Sequence, residues 1–289
     1  MSTLTTALLE PDARAFAPAR PTTHPVTFAR VVAGEWIKVR TVRSTVWTLV
    51  AMVVLMVGFS TLAAWGSTLT LDDQPAVVGM NVAQLLSAGY QLGQLAVAVL
   101  AVLTITGEYS TGMIRSSFAA VPRRGPVLAA KALVLAMVVA VVTTTTMAAS
   151  FVATMPFHDE LEATFDLSSA ETLRMTVGLP LYLVAVALLA FAAGALLRHT
   201  AGAITAVLAT LLVIDNVVLL VPLRFFELIG PFLPSAAGRR LLFDEEMLAS
   251  LDAATEGASL TPWQGYGVLL GWVAVLMALA VWRLRRRDA

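Results

Sequence analysis

Asp215 lies in an apolar run, VLATLLVIDNVVLLV, with Asn216 beside it. A carboxylate at membrane depth is costly to ionise, so it suggests a proton or ion relay or part of a substrate path. A protonated Asp215 hydrogen-bonded to a neighbouring helix would serve structure alone. A second group of candidates lies in GEYSTGMIRSSFAAVPRRGPVLAAK, residues 107–131, where Glu108, Arg115, Arg123, Arg124 and Lys131 alternate with Gly, Ser and Pro. This stretch is too polar and too ordered in pattern for a simple turn. Ser110 through Ala120 can form a short helix that Pro122 closes, a rigid knob suited to docking a partner. Lys131 is expected to snorkel toward water from the start of the helix that follows.

Catalytic chemistry is otherwise sparse. The chain has no cysteine, which excludes disulfides, thiolate nucleophiles and Cys-ligated metals. His24, His158 and His199 fall in three separate polar stretches without metal-ligand spacing, so no metal site is expected. The phosphate-cradling GxxxxGK(S/T) does not occur, so the chain is not expected to bind or hydrolyse a nucleotide itself. HExxH and GxSxG are also missing. A membrane-embedded enzyme would need polar residues clustered at one depth, and only Asp215, Asn216 and the Thr143–Thr146 run approach that.

The elements that must position these residues are membrane helices. Of 289 residues, 58% are hydrophobic and 13% charged, against roughly 25% charged in a soluble domain. The mean hydropathy is +0.82. A net charge of zero gives no reason to expect a nucleic-acid partner. A helix needs about 20 apolar residues to cross the hydrocarbon core. Six stretches qualify, at about 45–66, 85–106, 127–149, 177–197, 201–221 and 263–282. They are apolar all round rather than on one face, unlike the helices of a soluble bundle. The expected fold class is therefore an all-α membrane protein with six transmembrane helices in a domain spanning 45–282.

Charge sets the orientation. With these spans, fifteen of the 19 Lys and Arg residues fall on one side, which is expected to be cytoplasmic and to hold both termini. The other side keeps Arg174, Arg224, Arg239 and Arg240 and most of the acids. Residues 1–24 lack a signal-peptide core and are expected to form a disordered cytoplasmic tail. Residues 25–44 place Phe28, Val31, Val32, Trp36 and Val39 at helical spacing among basic residues, giving an amphipathic interfacial helix in which Glu35 and Lys38 form an (i, i+3) pair. A plain basic flank is the alternative. Residues 222–262 form an extracellular segment whose apolar pieces suggest short helices dipping into the outer leaflet, as a gate or a lid. Residues 283–289 are a basic cytoplasmic tail. Trp47, Trp65, Trp263 and Trp282 sit near span ends as anchors. Gly89 with Gly93, and Gly267 with Gly271, have spacing that suits close helix packing within the chain or between two chains.

Three segments, GEWIKVRTVRSTVW (34–47), ITGEYSTGMIRSSFAAVPRRGPVLAAKAL (105–133) and LPSAAG (233–238), resemble the transmembrane permease subunits of ABC-2 type transporters, in particular the small actinobacterial ones. The likeness extends over nearly all of the chain from residue 25. It implies a multi-pass plasma-membrane protein, most simply an exporter subunit. It also implies that 25–44 is a connecting helix, with Glu35, Trp36, Lys38 and Arg40 as its candidate site. Residues 107–126 would be a coupling loop in which Glu108, Arg115, Arg123 and Arg124 contact a separate ABC ATPase. That ATPase would carry ATP and Mg, no cofactor being bound by this chain, and a second permease subunit would complete the assembly. The alternative is a proton-coupled secondary transporter using Asp215.

Overall fold

The computed structural model describes residues 27–71, 79–112, 124–214, 217, 224–253 and 258–286. Among them the regular elements are helices, with one isolated bridge between Asn81 and Thr164. In chain order they are α1 (Phe28–Thr41), α2 (Arg43–Thr68), α3 (Val82–Ser87), α4 (Tyr90–Thr111), α5 (Arg124–Thr154), α6 (Ala170–Leu197), α7 (Thr200–Leu208), α8 (Arg224–Ile229), α9 (Pro234–Arg239), α10 (Glu245–Ala253) and α11 (Pro262–Arg286).

Five runs are long and apolar enough to cross a membrane: Arg43–Thr68, Val82–Thr111, Gly125–Phe157, Ala170–Leu197 and Pro262–Arg286. They cover five of the six expected spans. The fifth expected span, 201–221, is described only as α7 and a π-helical stretch, Ala209–Ile214. Asp215 and Asn216 lie outside the described residues. Spacing of the indoles fits a bilayer. Trp47 and Trp65 on α2, and Trp263 and Trp282 on α11, are all exposed, and each pair is separated along its helix by about 27–29 Å, close to the roughly 30 Å of hydrocarbon.

The amphipathic segment is a shorter helix than expected, and it and the first span are two separate helices, because the chain turns extended at Val42 (φ −79°, ψ 112°) before α2 starts. Thr41, the last residue of α1, donates its hydroxyl back to the carbonyls of Ile37 (2.9 Å) and Lys38 (3.2 Å). The second span is likewise two helices, broken at Ala88 and Gly89. A Cβ on Gly89 would lie 2.7 Å from the Met56 carbonyl oxygen, and one on Gly93 would meet the Met56 side chain. This pair of glycines therefore packs α2 against α4 within the chain. Gly267 and Gly271 have nothing within 4 Å of an added Cβ.

α6 is the centre of the bundle. Two thirds of its apolar window (67%) is buried, against 17% for α2 and 22% for α11, which lie at the periphery. The Tyr182 hydroxyl donates to Gln94 Oε1 at 2.6 Å, a buried bond that satisfies two polar groups between α6 and α4.

The segment expected outside the membrane dips into the bundle. The Trp272 indole N–H donates to the Phe232 carbonyl at 2.9 Å, and Trp272 lies ten residues, about 15 Å, below the start of α11. From that depth α9 and the 3-10 turn Arg240–Leu242 climb back between α6 and α11. Three glycines let them approach. Gly178 meets Leu241, Gly238 meets Leu269 and Tyr182, and Gly265 meets Ala237. The turn is tied by Arg174, which donates to the carbonyls of Arg240 and Leu241, and by Arg240, which contacts both Asp252 oxygens at 2.8 and 2.9 Å.

An added Cβ at Gly265 would lie 2.3 Å from the Ala237 carbonyl oxygen, whereas one at Gly267 on the same helix meets nothing. Gly265→Ala should lower stability in detergent by about 1–3 kcal/mol through overpacking. Gly267→Ala should leave it unchanged or raise it by up to about 1 kcal/mol through helix propensity. Thermal unfolding of the purified variants checks the contrast.

Candidate functional site

Four charged side chains from three helices close into a ring. Lys131 Nζ on α5 lies 2.5 Å from Glu35 Oε2 on α1 and 2.8 Å from Glu108 Oε1 on α4. Lys38 Nζ on α1 lies 2.8 Å from Glu35 Oε1 and 2.9 Å from the same Glu108 oxygen. Each ammonium thus touches both carboxylates, and the ring is neutral overall.

Local structure delivers these groups. Glu35 and Lys38 stand one turn apart on α1, facing the bundle together with the half-buried Val31. Glu108 lies in the last turn of α4, three residues before Thr111, after which Gly112 takes a left-handed conformation (φ 72°) that suits a residue without Cβ. Lys131 is in the second turn of α5, which Arg124 opens. Three of the four are sealed from solvent, with side chains 4–10% exposed, while the Lys38 side chain is 32% exposed. Lys131 therefore does not snorkel to water as its sequence position suggests. Two carboxylates within the bundle are the nearer destination for its ammonium, and leaving it unpaired in hydrocarbon would be far costlier.

Burial alone would lower the pKa of Lys38, but hydrogen bonds and attraction from Glu35 and Glu108 outweigh it and hold the ammonium above its ordinary value. Lys38 stays charged at neutral pH. Both ammonium groups converge on Oε1 of Glu108, and its Oε2 is buried without a hydrogen-bond partner among the described residues. The carboxylate has capacity for one more donor.

Next to Glu108, α4 is gripped from its other flank. The Arg198 guanidinium lies over the Tyr109 ring at 5.2 Å, and the Thr200 hydroxyl donates to Thr106 at 2.9 Å. Arg198 is itself in a left-handed conformation (φ 57°) closing α6, and His199 Nδ1 accepts from Gly202 N to cap α7. Arg283 of α11 donates to the Leu196 carbonyl. This end of the bundle, with Arg40, Arg43, Arg198, Arg283, Arg285 and Arg286, is its basic end, and the last turn of α4 connects α1 and α5 on one side to the α6–α7 corner on the other.

Of the residues singled out in the sequence, Glu35, Lys38 and Glu108 come together here. Trp36 and Arg40 are exposed on α1 and take no part in the ring. Arg115 and Arg123 lie outside the described residues, and of Arg124 only its place at the start of α5 is described. Lys131 is the member that sequence reasoning placed differently. Its signal was a lone ammonium several residues inside an apolar helix, where an ion-pair partner is the default expectation. No group of three or more His, Asp or Glu suited to a metal ion occurs among the described residues. Compared with protein-family models and with curated proteins, the chain matches none.

Removing one member of a buried ion-pair network costs about 3–5 kcal/mol, because it strands the opposite charge. Lys131→Met should therefore destabilise the protein by that order in detergent. Lys38→Met, at the exposed corner of the ring, should cost clearly less. Adding Glu35→Gln to Lys131→Met should recover part of the loss, since one stranded carboxylate is then neutral. Thermal unfolding of the four proteins measures the order.

Proposed function

We propose that this chain is the transmembrane permease subunit of an ATP-driven ABC transporter of the ABC-2 type, an exporter subunit that supplies the substrate pathway. The single observation that carries the reading is the buried ring. It joins the two helices that bracket residues 113–123 to the amphipathic helix α1, so a push on the segment between them would move three helix ends as one body.

In this reading the segment 107–126 is the coupling element and receives a separate ABC ATPase subunit, which holds ATP and Mg. Arg115, Arg123 and Arg124 make the contact, and Glu108 anchors the element to the bundle through Lys38 and Lys131. α1 is the connecting helix, lying at the plasma-membrane interface with Trp36 and Phe28 exposed toward lipid. Six spans place both termini in the cytoplasm, in line with the distribution of Lys and Arg. A second permease subunit completes the pathway. ATP-driven closure of the ATPase shifts the permeases between two arrangements, the differential coupling that transport requires.

Isolation of the tagged protein from its native membrane in mild detergent should recover a P-loop ATPase, and changing Arg115, Arg123 and Arg124 to Glu should release it. Failure to recover any ATPase while the chain stays folded would contradict the reading. Because the chain is cysteine-free, single cysteines introduced at Arg20 and Arg287 give a clean topology test. Both should react with an impermeant maleimide only from the cytoplasmic face, and labelling from opposite faces would rule out an even number of spans.

A further inference from the structure

We infer that a cavity between α6, α7, its π-helical continuation, the dipping segment and α11 binds one acyl chain of an anionic phospholipid whose headgroup sits on Arg283. The cavity holds about 370 Å³. That falls within the usual range of ligand pockets, and is more than twice the roughly 150 Å³ of an apolar cavity that stays dry and accepts a benzene molecule.

The lining selects hydrocarbon. It is built of residues such as Leu189, Leu196, Val207, Leu233 and Leu276, with Thr210 and Trp272 as its sources of side-chain polar atoms. Both of those are already engaged. The Thr210 hydroxyl donates to Ala206 O at 2.8 Å, and the Trp272 N–H to Phe232 O. A polar ligand would lose its hydrogen bonds on entering, whereas a methylene chain loses nothing. Leu197, Ile214 and Trp272, also in the lining, are exposed on the protein's outer surface, so the cavity opens sideways at membrane depth.

Charge above the cavity identifies the headgroup. Arg283 follows Leu276 by seven residues, two turns along the same face of α11 and about 10 Å nearer the basic end. It donates to the carbonyl of Leu196, itself a lining residue, which fixes the guanidinium at the mouth. One such contact leaves donors for a phosphate, since arginine carries five N–H groups. Arg286, one turn beyond Arg283 and stacked at 4.2 Å on Trp282, adds positive charge nearby. An acyl chain below and a phosphate above match this arrangement in chemistry.

Assignment to the cytoplasmic leaflet rests on the orientation proposed above; binding itself needs no ATPase and is measured on this chain alone. The probe is quenching of Trp272 by brominated lipid in proteoliposomes, taken as the quenching lost in Trp272→Phe. Brominated phosphatidylglycerol should quench this component more than brominated phosphatidylcholine. Arg283→Gln, which keeps a donor for Leu196, should reduce the preference about fivefold, the effect of one basic residue at an anionic lipid surface. Ala206→Phe, at an exposed lining position, should fill the cavity and abolish the preference for phosphatidylglycerol. Phosphatidylglycerol should also co-purify with the unaltered protein. Equal quenching by the two lipids, or a preference indifferent to Arg283→Gln, would leave only bulk lipid contact and overturn the proposal. Confining brominated lipid to one leaflet separates the claims: quenching solely from the leaflet at the opposite end to Arg283 would refute the headgroup site, and labelling of both termini from outside would refute the orientation alone.

Discussion

Two lysines and two glutamates must share a space that water reaches only at the Lys38 corner. This constraint organises the basic end of the bundle. A buried ammonium or carboxylate carries a desolvation penalty of several kcal/mol, which is offset only where opposite charges approach closely in good geometry. The alternating ring of Glu35, Lys131, Glu108 and Lys38 meets that condition with four contacts of 2.5–2.9 Å. Because its members come from α1, α4 and α5, none of these helices can shift alone without separating charge in a medium of low dielectric. Electrostatics thus acts as a latch that apolar packing between smooth helices would not provide, since lipid tails are as apolar as the helix surfaces.

The opposite half of the molecule is held by shape. Gly178, Gly238 and Gly265 let the dipping segment reach the surfaces of α6 and α11, the hydrogen bonds of Arg174 and Trp272 satisfy carbonyls that would otherwise face hydrocarbon, and Arg240 pairs with the Asp252 carboxylate. Irregular backbone at this depth is tolerable because protein surrounds it. The two halves meet along α6, the most buried helix, whose end at Leu196 and Arg198 contacts both α4 and α11. The ring is therefore joined by continuous packing to the other half of the bundle.

Much of this fold was legible in the sequence because hydrocarbon imposes a length and an apolar composition on whatever crosses it. Five expected spans match described helices to within several residues at each end, apart from α6, whose start at Ala170 precedes the expected Val177, and α5, which runs on through a 3-10 turn to Phe157. The Glu35–Lys38 pair was legible because its partners are one turn apart. Their meeting with Glu108 and Lys131 was not, since Lys131 is 96 residues from Glu35 and spacing along the chain carries no information about which helices are neighbours. The break at Gly89 was hidden for a similar reason: it sits where the Met56 backbone approaches closely, a contact that forms only in the folded protein. Close approach at Gly89 and Gly93 was foreseen as a packing motif, but only the position of Met56 shows that its partner lies in the same chain.

The central claim is that the ring holds α1 to the ends of α4 and α5 as one body. It is tested most directly by the distance between spin labels at two exposed positions, Arg40 on α1 and Thr111 at the end of α4, measured by double electron–electron resonance in lipid nanodiscs. A single narrow distribution in the labelled protein, broadened when Lys131→Met opens the ring, is the predicted result. A broad distribution with the ring intact, or one unchanged by Lys131→Met in a protein that remains folded, would contradict it.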